Sequence, residues 1–255
     1  MWVYGLNPVI EVLRHRPKRV AEIRIHRTKG TPAEIFETAK KFNIPIKESS
    51  NAHLENICGS EAHQGIIARA PLPEYAQLDN VLEGIKARKP EGPGGPEGHA
   101  LILILDSISD PQNLGALIRV AETAGVDAVI IPKDRAAGLS PTVAKASAGA
   151  IEWVPVCRVV NLKRAIEELK QAGFWVIGTS GRKGKLAWQA DLTGRLAVVI
   201  GSEGKGMRPG VAAACDFIMR IPLQGKINSL NASVSAGIIL FEILRQNYER
   251  LKPEI

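Results

Sequence analysis

The stretch "IPLQGKINSLNASVSAG" places Lys226, Asn228, Ser229, Asn231, Ser233 and Ser235 directly ahead of an apolar run. A single Ser or Asn suffices to cap a helix. Six polar residues at one doorway imply a further task. Two other segments have the same character. "DSISDPQNLGALIRVAETAG" (106–125) carries Asp106, Asp110, Asn113 and Arg119, and "GSEGKGMRPG" (201–210) sets Glu203 between glycines. His15, His26, His53, His63 and His99 all lie in the first hundred residues, so the remainder holds no Ser-His or Cys-His nucleophile. No His, Cys and carboxylate cluster has metal-ligand spacing. What remains is chemistry by positioning and electrostatics, with Arg, Glu, Ser and Asn as the polar tools.

The elements ahead of these segments explain their grouping. Apolar runs at 101–105, 127–132, 174–178, 196–200 and 217–222 alternate with helical stretches, notably 113–124 and 161–172. Continuous apolar strands alternating with helices predict a parallel sheet covered on both faces. Ligands of such sheets bind beyond the carboxyl ends of the strands. All three polar segments follow strands, so together they line one pocket in which main-chain groups hold an adenosine-like ligand. Ser229 and Asn231 face what reacts there. Each residue also has a plainer reading: Asp110 and Asn113 as caps, Arg119 in a surface salt bridge, the glycines as a tight turn. The spacing in 201–210 is neither a P-loop nor a dinucleotide fingerprint. The apolar neighbours of Arg119 suggest that it borders a covered region.

Residues 1–75 read as a small α/β unit. Thr31 and Glu34 predict a capping box opening the helix "AEIFETAKKF", and "VAEIRI", "IPIK" and "GIIAR" read as strands. The run "RHRPKR" supplies Arg14, Arg16, Lys18 and Arg19, which either contact RNA phosphates or form a solvated helix end. "KPEGPGGPEGH" can neither continue a helix nor pair as a strand, so 76–99 reads as a Pro/Gly-rich linker with a short helix over "LDNVLEGIKAR". The larger unit spans 100–255. The chain's 33 basic and 26 acidic residues give +7, which favours a polyanionic partner such as nucleic acid. Three dispersed cysteines, no 18-residue apolar run and no leader pattern predict a cytoplasmic protein with no membrane partner.

"DSISDPQNLGALIRVAETAG", "VVIGSEGKGM" and "IPLQGKINSLNASVSAG" resemble, in order, the three motifs of the SpoU/TrmH branch of SPOUT RNA 2′-O-ribose methyltransferases. The likeness covers 101–247. "VYGLNPVIEVLR" through "GIIARAPL" is similar to the small substrate-binding domain of RlmB-like enzymes, which is akin to an RNA-binding ribosomal protein. The resemblance implies a carboxyl-terminal sheet threaded into a trefoil knot, S-adenosylmethionine bent within it, and a homodimer. It implies methylation of a ribose, most simply a guanosine, in 23S ribosomal RNA. A tRNA or adenosine-directed rRNA enzyme of the same family, or a non-catalytic rRNA-binding assembly protein, is the alternative. Motif matching assigns Asn113, Arg119, Glu203, Ser229 and Asn231 to the functional set, and backbone around Thr179, Gly201, Ile221 and Leu230 to the cofactor. No metal is implied.

Overall fold

The computed structural model describes residues 1–26, 30–88, 99–226 and 229–250. The first unit builds a four-stranded sheet from β1 (Trp2–Tyr4), β2 (Glu22–Ile25), β3 (Ile46–Glu48) and β4 (Ile66–Arg69), in the order β1-β4-β2-β3. Only β2 and β3 are parallel. Helices α1 (Leu6–His15), α2 (Ala33–Phe42) and α3 (Asn51–Cys58) connect these strands. The helix α2 starts after Pro32, with no side-chain cap. The helix thus begins one residue beyond the Thr31 cap position that the capping box expects.

Helix α4 (Leu78–Ala87) follows, and then the second unit. Its strands are β5 (Ala100–Asp106), β6 (Ala128–Pro132), β7 (Val156–Val159), β8 (Trp175–Thr179), β9 (Lys185–Leu186), β10 (Arg195–Gly201) and β11 (Phe217–Arg220). They form one seven-stranded sheet in the order β7-β6-β5-β10-β8-β11-β9, with every pair parallel. Helices α5 (Pro111–Thr123), α6 (Pro141–Ala146), α7 (Leu162–Gln171), α8 (Pro209–Ala212) and α9 (Ala232–Arg250) complete it.

The pleat divides the side chains of β5 between two cores. Leu101, Leu103 and Leu105 face one, with Leu114, Leu117 and Ile118 of α5 and Ile239, Leu240 and Ile243 of α9. Ile102 and Ile104 face the other, with Leu162, Ile166 and Leu169 of α7. Because alternate residues of a strand point to opposite faces, a strand buried on both reads as an unbroken apolar run. Leu78, Leu82 and Ile85 of α4 join the second core. Each such buried side chain contributes about 1.5–3 kcal/mol, so this part of the expected linker is packed structure. The Pro/Gly-rich run 89–98 lies outside the described residues.

The first core does not stop at the unit boundary. Val3, Val9 and Leu13 belong to it together with Val143, Ala144 and Ile151. Polar contacts accompany this seam. Arg16 Nε donates to Glu152 Oε2 at 2.7 Å, its Nη2 to Glu152 Oε1 at 2.8 Å and to the Pro71 carbonyl at 3.1 Å. Trp153 Nε1 donates to Glu11 Oε2 at 2.7 Å, and the Trp153 ring meets His15 edge-on.

Candidate active site

Three strand ends carry the polar groups. At the end of β5, Asp106 is wholly buried and accepts from the Arg208 backbone N–H and Nε, both at 2.7 Å. That pair ties the segment after β5 to the segment after β10. Asp110 then caps α5, accepting from the N–H groups of Gln112 and Asn113 at 3.1 and 3.3 Å. The capping role considered for it is its role here. The cap presents Asn113 in the first turn.

The turn after β10 closes on itself: Gly206 N–H donates to the Ser202 carbonyl at 2.8 Å, and Ser202 N–H to the Gly206 carbonyl at 3.1 Å. Gly204 and Gly206 have φ of 79° and 67°, in the left-handed region that favours glycine. A Cβ on Gly201 would lie 2.2 Å from the backbone of Gly206 and Met207, so only glycine lets the turn fold back there. Glu203 stands at the tip. Its Oε1 accepts from Asn231 Nδ2 at 2.5 Å, Asn113 Nδ2 at 3.3 Å and the Ala232 N–H at 3.2 Å. Asn231 Nδ2 also donates to Asn113 Oδ1 at 3.1 Å. One carboxylate thus gathers the first turns of α5 and α9, where helix N–H groups favour negative charge.

The doorway ahead of α9 divides its labour. Asn231 caps the helix: its Oδ1 accepts from Ser233 N–H at 2.8 Å, Ser233 Oγ at 2.6 Å and Val234 N–H at 3.4 Å. Ser229 and Ser235 instead line a cavity of about 640 Å³ at the strand ends. Thr179, Gly201, Ile221 and Leu230, which end or follow β8, β10 and β11, line the same cavity, and so does Glu203. Lys226 is exposed, and Asn228 lies outside the described residues. The volume suits a nucleoside-sized ligand. Among the described residues no group of three His, Cys, Asp or Glu side chains could hold a metal.

Arg119 does not join the cluster. Six residues on an α-helix advance about 9 Å and turn by about 240°, which carries Arg119 off the face of Asn113. It is exposed, and its guanidinium makes no hydrogen bond or ion pair among the described residues. The covered setting expected from Leu117, Ile118 and Ala121 is corrected, because those side chains point into the core from the far side of the helix. The basic run is likewise no continuous patch. Arg14 pairs with Glu11 and Glu34, Arg19 pairs with Glu74, and Arg16 is committed to Glu152, whose side chain is 1% exposed. Lys18 is exposed and unpaired among the described residues. Sequence reasoning missed the Arg16–Glu152 pair, since nothing local links residues 136 apart. Cys157 and Cys215 carry thiols that burial pushes up to about 11, so neither offers a ready thiolate.

A parallel sheet whose strand ends and glycine turn enclose a nucleoside-sized cavity defines an α/β ligand-binding domain, joined here to a mixed-sheet unit. The chain belongs to the SpoU rRNA methylase family of RNA 2′-O-methyltransferases, whose model matches residues 100–241. Residues 2–76 match the family described as RNA 2′-O ribose methyltransferase substrate binding. The 23S rRNA (guanosine-2′-O-)-methyltransferase RlmB of Pseudomonas aeruginosa is 42% identical over 96% of either chain. Its namesake from Ralstonia nicotianae is 40% identical over 95% of this chain and 94% of its own. A crystal structure of an RNA 2′-O ribose methyltransferase aligns with TM-score 0.74 at 26% identity, covering 97% of this chain and 89% of that one. The SpoU methyltransferase AviRb from Streptomyces viridochromogenes, in complex with AdoMet, shares the fold with TM-score 0.77 at 23% identity, over 97% and 90% of the two chains.

Proposed function

We propose that this protein transfers a methyl group from S-adenosylmethionine to the ribose 2′-oxygen of a guanosine in 23S ribosomal RNA. The observation that carries the reading is the convergence of Thr179, Gly201, Ile221 and Leu230 on one cavity that also takes in Ser229 and Glu203. The full-length likeness to 23S rRNA guanosine methyltransferases supports the substrate. S-adenosylmethionine supplies an activated methyl group when bound. The chain then has to align the ribose oxygen, exclude water and dispose of the hydroxyl proton. Main-chain groups around the four lining residues hold the cofactor. Ser229 orients the ribose, while Glu203 and Asn231 fix the segment that carries it. The planar guanidinium of Arg119 polarises the 2′-hydroxyl or anchors the adjoining phosphate.

The exposed Arg119 fits a site completed by a second copy of the chain. Exposed Val234, Phe241 and Leu244 along α9, which packs on α5, support a homodimer through this face. Strand order supports a trefoil knot: β10 lies between β5 and β8, and β11 lies on the other side of β8. Residues 1–75 are the substrate-binding domain and 100–255 the methyl-transfer domain, joined through 76–99. Lys18, with the exposed flanks of Arg14 and Arg19, meets RNA phosphates, whereas Arg16 holds the domains together. Such an enzyme works in the cytoplasm. Incubating the full chain with labelled S-adenosylmethionine and 23S rRNA from cells lacking the modification should place one 2′-O-methylguanosine in that RNA. Methyl transfer to tRNA alone, or to an adenosine, would overturn the assignment.

A further inference from the structure

The amino-terminal unit contains a second cavity, of about 660 Å³, lined in part by His26, Asn51, Glu55, Glu61, His63 and Gln64. The hydrogen bonds around it fix what its lining offers. His63 is 5% exposed, and its Nδ1 accepts the Gly65 N–H at 2.9 Å. An accepting ring nitrogen carries no proton, so Nε2 bears the N–H. His26 Nδ1 meets the Ser49 carbonyl at 3.2 Å and must donate to it, which makes Nε2 the acceptor in the neutral ring. Neither Nε2 has a partner among the described residues. Gln64 Oε1 is occupied by the Leu6 N–H and Lys145 Nζ, leaving its amide N–H groups to give.

Two carboxylates in the lining disfavour phosphate, and the absence of a three-ligand group among the described residues disfavours a metal. A neutral ligand with donors and acceptors along one edge fits. Unstacked nucleobases are read in this way. We propose that this cavity receives one unstacked nucleobase of the substrate RNA, taken at its edge by His63, His26 and Asn51. The inference rests on the RNA-methylating reading above.

The full chain has five histidines, so imidazole nitrogen signals of His26 and His63 can be followed individually by NMR. With the strand-end cavity saturated by S-adenosylhomocysteine, the chain is titrated with guanosine, adenosine, cytidine and uridine. At least one nucleoside should shift both Nε2 signals saturably, with half-saturation on the order of a few millimolar. Asn51→Ala, at an exposed position, should weaken that response by roughly tenfold. No shift with any nucleoside would overturn the proposal, as would a response to inorganic phosphate or Mn²⁺ in place of nucleosides. Because no rRNA or methyl transfer enters the readout, failure here leaves the 23S rRNA assignment standing. A failed methylation assay likewise leaves the nucleoside result intact.

Discussion

Arg119 is the residue at which sequence and structure part company. Its apolar neighbours suggested cover, yet on a helix the residues at i±1 and i±2 point elsewhere, and the side chain is exposed. Exposure without a partner among the described residues is what a group reserved for a substrate or a second subunit would show. Arg119→Ala should leave folding and cofactor binding intact while slowing single-turnover methyl transfer by at least roughly a hundredfold, as loss of one aimed cationic donor does. Arg119→Lys keeps the charge and loses the planar fork. Rescue by lysine would assign the effect to charge, whereas an alanine variant of near-normal rate would remove Arg119 from the reaction. Glu203 and Asn231 were more legible. A carboxylate among turn glycines and an Asn before an apolar helix both announce a special position, and they meet at 2.5 Å.

At the level of elements, the long strands were legible because burial on both faces writes them as continuous apolar runs. Some short ones, β7 and β9 among them, were not. β7 follows Pro155 and β9 has two residues, so neither carries enough pattern to be read. Helix α4 was read, but its packing was not, since the partners of Leu82 and Ile85 lie across the Pro/Gly-rich run. In the small sheet, Glu22 on β2 accepts from Lys47 of β3 at 3.1 Å and from Arg24 at 3.0 Å. The Lys47 hydrogen bond, helped by Arg24 and opposed by desolvation, holds the Glu22 carboxyl below its ordinary value. A carboxyl depressed on folding stabilises the fold above its unfolded pKa and loses that contribution as pH falls through the folded one. Acidification should therefore cost the parent more stability in urea than it costs Glu22→Gln. Equal losses by both would mean that the β2–β3 link gains nothing from the charge.

For the whole molecule, the seam between the units matters most. A bidentate pair of buried Glu152 and half-buried Arg16 lies over a core that both units share, and one guanidinium nitrogen, Nη1 of Arg16, is buried with no hydrogen-bond partner among the described residues. Removing one member of such a pair strands the other charge. Glu152→Ala should cost about 3–5 kcal/mol and split one calorimetric transition into two. A single unshifted transition would show that the pair is idle. The face of α9 sets a second expectation. Phe241, 49% exposed, should tolerate Phe241→Glu in the isolated fold but lose dimerisation and activity together in sedimentation and methylation assays. A variant that sediments as the parent does would overturn the proposed homodimer through this face.

The Arg16–Glu152 seam also bears on chimaeras. Two units joined only by a tether could be exchanged between relatives, and RNA preference would travel with the transplanted half. Here the recipient must supply a carboxylate at the position of Glu152 and an indole at that of Trp153, or the graft leaves a charge stranded in an apolar seam. Retargeting by domain transplantation therefore requires both sides of the seam to be moved as one cassette.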